Sequence, residues 1–160
     1  MNEKALELVG LLNKKKLKIT CAESCTGGLL SGAITSVSGS SAVFDGAVCS
    51  YANRIKHNML GVSQEVLDTK GAVSYDSAYQ MATGVLAMFE ADVALSVTGI
   101  AGPGGGTAQK PVGTVFIGVA HKSGSYKVEE CHFAGDRDTV RAKSVEKALS
   151  LAIELVKNRL

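Results

Sequence analysis

Apolar positions alternate along this chain between the spacing of helices and that of strands. Ala5, Leu8, Val9 and Leu12 recur at three and four residues, which predicts a helix over residues 3–16. Lys18 to Ala22 reads as a short strand running into a glycine pair. Leu29 to Val37 reads as a helix closed by the Gly39-Ser40-Ser41 turn. Val43 to Tyr51 reads as a strand, Arg54 to Leu60 as a short helix, and Ser63 as the N-cap of another containing Val66 and Leu67. From Ser77 onward, Ala78, Met81, Ala82, Val85, Leu86 and Phe89 keep helical spacing, and Asp92 to Thr98 follows as a strand. After a loop from Gly99 to Pro111, Val112 to His121 and Tyr126 to Phe133 predict a β-hairpin around Lys122-Ser123-Gly124-Ser125. Val145, Ala148, Leu149, Ala152, Leu155 and Val156 mark the inner face of a last helix. Interleaved helices and strands with one antiparallel hairpin predict an α/β fold, a mixed sheet covered by helices, in one domain over residues 1–160.

Composition narrows the function classes. The chain has 160 residues, 46% hydrophobic and 20% charged, enough for one self-supporting core without disulfides or metal. Absent Trp and 5% aromatics argue against a base-stacking nucleic-acid surface. A net charge of +2 defines no polyanion partner, and Lys14, Lys15, Lys16 and Lys18 read as the solvated end of the first helix. No apolar run approaches the roughly 18 residues that span a bilayer. Cys21, Cys25, Cys49 and Cys131 have neither zinc nor redox spacing, and His57, His121 and His132 form no ligand pattern. With no signal-like segment after Met1, the expectation is a cytoplasmic protein with reduced thiols, no metal and no cofactor. Its exposed helices are compatible with a homo-oligomer.

Eighteen glycines against two prolines draw attention to two loops at strand ends, where α/β sheets bind ligands. The first is Glu23-Ser24-Cys25-Thr26-Gly27-Gly28. A hydroxyl there can stand above free N–H groups at a helix start, the logic of a nucleophile elbow, although G-x-S-x-G is absent. Ser24 fits an N-capping residue equally well. The second, Thr98 to Gly106, is neither a P-loop nor a dinucleotide fingerprint, and its glycines suit a backbone-lined pocket wall. A serine nucleophile needs a base, and no histidine supplies one. Lys56 is the remaining candidate if burial keeps it neutral, with Tyr51 near it in sequence; spacing alone reads Lys56 rather as a surface lysine. Cys25 is a rival nucleophile, with Glu23 and Lys56 as partners. Arg137 and Arg141 sit four apart at the start of the last helix and suit phosphate, or else pair with surface carboxylates. Asn53 reads either as a substrate contact or as a helix cap.

Six segments in order carry a resemblance: AESCTGG from Ala22, the stretch from Ser40 to Val62, GAVS from Gly71, SVTGIAGPGGG from Ser96, KPVGTVFIG from Lys110 and GDRDTVR from Gly135. The chain resembles the CinA C-terminal domain family, in its stand-alone nicotinamide-nucleotide amidohydrolase form, from about Leu8 to the end. That resemblance implies a three-layer α/β/α sandwich and metal-independent hydrolysis of nicotinamide mononucleotide to nicotinic acid mononucleotide and ammonia. It implies a Ser–Lys–Tyr site at Ser24, Lys56 and Tyr51. The expected substrate-binding set is Cys25, Thr26, Gly27, Gly28, Asn53, Thr98, Gly99, Gly102, Arg137 and Arg141, with backbone N–H groups from Cys25 to Gly28 holding the oxyanion. The alternative is a nonenzymatic nucleotide-binding or regulatory module.

Overall fold

Asn2 starts the first helix by accepting the Ala5 N–H at 3.0 Å, and Lys16 ends it in the left-handed conformation. The computed structural model describes residues 2–159. In chain order the elements are α1 (Glu3–Lys15), β1 (Ile19–Glu23), α2 (Leu29–Thr35), a 3-10 turn (Ser40–Ala42), β2 (Phe44–Cys49), α3 (Asn53–Leu60) and α4 (Gln64–Thr69). They continue with α5 (Tyr75–Phe89), β3 (Val93–Gly99), β4 (Thr114–His121), β5 (Tyr126–His132) and α6 (Arg137–Arg159). The expected elements are all present, with ends shifted by up to two residues. The larger shifts have local causes. Ser74 rather than Ser77 opens α5, because the Ser74 hydroxyl accepts the Ser77 N–H at 3.1 Å.

The sheet order is β2-β1-β3-β4-β5, with β2, β1 and β3 parallel and β4 and β5 antiparallel. Alternation along the strands divides two cores. Ile19, Cys21, Leu95, Val97, Ile117 and Val119 face α1, α2 and α6, meeting Leu8, Leu12, Leu30, Ile34, Leu149 and Val156. Ala22, Val48 and Ala94 face the other way, against Leu60, Leu67, Met81 and Val85 of α3, α4 and α5. The result is the three-layer α/β/α sandwich. On the second face the inner strands carry small side chains, so α5 lies close: Ser96 Oγ donates to Ala78 O at 2.6 Å.

Gly84 is where α5 meets the end of α3. A Cβ placed there would lie 1.8 Å from Leu60 O, a backbone atom that cannot swing aside. Gly84→Ala is therefore expected to destabilise the protein by about 3 kcal/mol, with Tm lower by roughly 6–12 °C. Thermal unfolding checks this, and an unchanged Tm would mean the two helices part without cost.

The parallel strands end together. Glu23 lies opposite Cys49 of β2 and opposite Val97 of β3, so Ser24, Ser50 and Thr98 gather at one edge of the sheet. The site is built there.

Candidate active site

Ser24 follows β1 directly and is held by its own N–H, which donates to Val97 O at 2.9 Å. Lys56 comes from α3, the helix that begins just beyond β2. Its long side chain is 1% exposed and runs under the sheet edge. Its Nζ donates to Ser24 Oγ at 2.9 Å, to Ser50 O at 2.7 Å and to Tyr51 O at 3.3 Å. Three N–H bonds match the three donors of an ammonium. Among the described residues no carboxylate accompanies them, and burial lowers the Lys56 pKa from 10.5 to about 8. A neutral amine in the same place keeps two N–H groups on the two carbonyls and turns its lone pair toward the serine hydroxyl.

Above this pair lies a cavity of about 220 Å3, lined by Ser24, Cys25, Tyr51, Asn53, Lys56, Ala72, Val73, Thr98, Gly99, Ala101 and Arg137. Thr98 Oγ1 donates to Ala72 O at 2.9 Å, fixing one wall to another. Arg137 spans the mouth, with Nη1 donating to Gly102 O at 2.8 Å and Nη2 to Tyr51 Oη at 3.3 Å.

The turn after Ser24 is braced on both sides. Glu23 is fully buried, and its carboxylate accepts the N–H groups of Gly28 (3.1 Å), Leu30 (3.0 Å) and Ser31 (2.8 Å) and the Ser31 hydroxyl (2.5 Å). It thus occupies the N–H groups at the start of α2, which also prefer a negative charge. Gly27 and Gly28 take φ of +56° and +103°, which lets the chain turn sharply into that helix. On the far side Arg141 Nε donates to Cys25 O at 3.0 Å and its Nη2 to Thr26 O at 3.3 Å.

A model of the CinA C-terminal domain matches residues 1–156. The chain belongs to that family. Among its relatives is a protein named nicotinamide-nucleotide amidohydrolase PncC from Enterobacter agglomerans, 48% identical over 159 residues, 99% of this chain and 97% of the relative. A CinA-like protein of Thermotoga neapolitana is 42% identical over 161 residues, but this chain covers only 39% of its length. Solved structures agree on the fold. The competence/damage inducible protein CihA of Agrobacterium tumefaciens superposes with a TM-score of 0.94 at 44% identity, over 96% of this chain and 93% of that one. A CinA superfamily protein of Klebsiella pneumoniae gives 0.93 at 32% identity, over 98% and 99%.

Within this family fold, the residues nominated from sequence separate into two groups. Ser24, Lys56, Tyr51, Cys25, Asn53, Thr98, Gly99 and Arg137 line one cavity, while Thr26, Gly27, Gly28, Gly102 and Arg141 lie outside its lining. The amides expected to hold an oxyanion are fewer than Cys25 to Gly28. The Gly28 N–H is bound by Glu23, and the Gly27 N–H donates to Ser24 O at 3.1 Å. Among the described residues, the N–H groups of Cys25 and Thr26 are the ones in this turn with no protein oxygen as partner. Thr26 is itself fully buried, its hydroxyl unpartnered among the described residues. Tyr51 meets Lys56 through its carbonyl; its phenol is exposed and lies against Arg137. Asn53 is the first residue of α3, whose cap is Ala52. Asp136 caps α6 by accepting the Thr139 N–H at 2.9 Å.

Cys25 is 5% exposed within the core beneath α6, and burial raises its thiol pKa to about 11. Its expected partner Glu23 is fully engaged by α2. The buried amine of Lys56 bonds to Ser24 Oγ rather than to the Cys25 thiol. All four cysteines are free thiols, with Cys49 the exposed one. Among the described residues no helix is long and apolar enough to cross a membrane, and no group of three or more His, Cys, Asp or Glu forms a metal site.

Sequence reasoning missed three contributors. The Ser50 carbonyl that orients Lys56 and the Ala72-Val73 wall carry no side-chain signal for such roles. Glu23 carried one, an acidic residue just ahead of a glycine pair and a helix, but it was considered only as a partner of Cys25.

Proposed function

We propose that this chain hydrolyses the carboxamide of nicotinamide mononucleotide to nicotinic acid mononucleotide and ammonia. The observation that carries this reading is the buried contact between Lys56 Nζ and Ser24 Oγ, at 2.9 Å on the cavity floor. It occurs in a chain that matches an amidohydrolase of that name from end to end.

Neutral Lys56 takes the Ser24 proton as Oγ attacks the carboxamide carbon, forming the C–O bond and an oxyanion. The Cys25 N–H, in the cavity lining, faces that oxygen; one such donor is worth about 10²–10³ in rate. Lys56, now an ammonium, gives its proton to the amide nitrogen, the C–N bond breaks and ammonia leaves. Water then attacks the Ser24 ester, Lys56 takes its proton, and the acid departs with Ser24 restored. Arg137 exchanges its contacts with Gly102 O and Tyr51 Oη for the substrate phosphate, and Asn53 meets the carboxamide or ring edge. Four free thiols suit a reducing, cytoplasmic setting for this chemistry.

Purified protein should release ammonia from nicotinamide mononucleotide, and much less from nicotinamide riboside or nicotinamide. Saturable binding of the nucleotide without ammonia release would overturn the reading in favour of a binding module.

A further inference from the structure

The structure assigns Arg141 to orienting the turn after the serine, a positioning role, rather than to holding substrate phosphate; this rests on the reading of Ser24 as the nucleophile. Arg141 is on α6, 116 residues along the chain from Cys25, yet both its bonds to that turn end on consecutive backbone carbonyls. A trans peptide is planar, with C=O and N–H pointing opposite ways. Fixing Cys25 O on one side therefore fixes the Thr26 N–H on the other. Fixing Thr26 O does the same for the Gly27 N–H, which reaches back to Ser24 O at 3.1 Å, closes the turn and so holds the peptide plane that carries the Cys25 N–H. The guanidinium also lies against Gly27, where a Cβ would stand 3.5 Å from Nη2. Arg141 is absent from the cavity lining, and its nearest acid, Asp138 at 3.9 Å, is 93% exposed and holds it weakly.

Free peptide planes rotate, and a turn that rotates by one plane replaces a donor with a carbonyl aimed at the developing anion. Arg141 excludes that state by holding the carbonyls on the far side. A planar fork with several donors does this; a lysine, with one point charge, holds one carbonyl at most.

Arg141→Gln and Arg141→Lys test the assignment, with circular dichroism and thermal unfolding to confirm that each variant is folded. For Arg141→Gln, kcat is expected to fall about 10²-fold, the scale of one lost oxyanion donor. KM stays within about threefold, and nicotinamide mononucleotide and nicotinamide riboside lose rate in the same proportion. Arg141→Lys falls in between, and added guanidinium restores part of the Arg141→Gln loss. The apparent pKa of the rising pH limb does not move, since Lys56 is untouched. A loss confined to KM and to the phosphorylated substrate would overturn the assignment and make Arg141 a phosphate ligand.

A second readout separates this inference from the proposed substrate. A fluorophosphonate probe forms a tetrahedral adduct on an activated serine without any nucleotide. If the wild type labels at Ser24 but hydrolyses no nicotinamide nucleotide, and Arg141→Gln slows labelling about 10²-fold, the substrate reading fails and the inference stands. Equal labelling and equal turnover in wild type and variant sink the inference alone. No labelling of wild-type Ser24 sinks both.

Discussion

Ser24→Ala is expected to stop ammonia release, by about 10⁴–10⁶-fold, while leaving the fold and nucleotide binding in place. The size of the loss follows from the geometry. Ser24 Oγ is the oxygen that faces Lys56 Nζ across the cavity floor, and the side chain at the next position is turned into the core. Removing Oγ leaves no nucleophile with a base beside it. Cys25→Ala keeps most of the rate, since that thiol is protonated at any physiological pH and sits beneath α6. A pair of rate measurements on the two variants decides between the adjacent residues. A Cys25→Ala protein without activity, beside an active Ser24→Ala protein, would move the nucleophile by one position.

Lys56→Met should remove activity to a similar extent, and the double variant with Ser24→Ala should lose no more than either alone, because the two groups act as one unit. Methionine has nearly the same length and no charge to bury, so the variant stays folded. On the proposed mechanism, activity in the wild type requires the neutral amine. kcat/KM therefore rises with pH, about tenfold per unit, and levels off above about 8, the pKa that burial gives Lys56. The same titration affects stability. The folded pKa lies below the 10.5 of the free side chain, so the unfolded chain binds more protons between the two values. Wild-type stability relative to Lys56→Met thus improves as pH climbs from about 8 toward 10.5, and is poorest below 8. Paired melting curves at several pH values read this difference directly. A flat pH–rate profile from 6 to 9 would remove Lys56 as the base.

Much of this was legible in the sequence, for identifiable reasons. Helices α1 and α5 bury one face each, so their apolar spacing announces them. Strands β1 and β3 are buried on both faces, so they show as short apolar runs rather than as alternation. The sheet order was not legible: the parallel pairs β1–β2 and β1–β3 are joined through helices, and nothing in a strand's own residues names its neighbour. At the site, Ser24 and its glycines were visible because a strand-to-helix turn needs those residue types. Lys56 looked like a surface lysine, since its burial arises only when α3 folds back under the sheet edge. The two arginines illustrate the same limit. Helical spacing correctly places Arg137 and Arg141 on one face, yet one turn of α6 separates the cavity mouth from the back of the serine turn. Side chains four residues apart therefore meet different partners.

Glu23 has a consequence for the medium in which this protein works. A glycine turn opening a helix ordinarily attracts phosphate or sulfate from solution, because its amides are bare and its dipole is positive. Here a carboxylate of the chain itself already fills that role from beneath. The amides that Glu23 holds, those of Gly28, Leu30 and Ser31, are therefore closed to stray inorganic anions. A phosphate buffer instead meets a cationic foothold at Arg137, at the mouth of the cavity that Ser24 also lines.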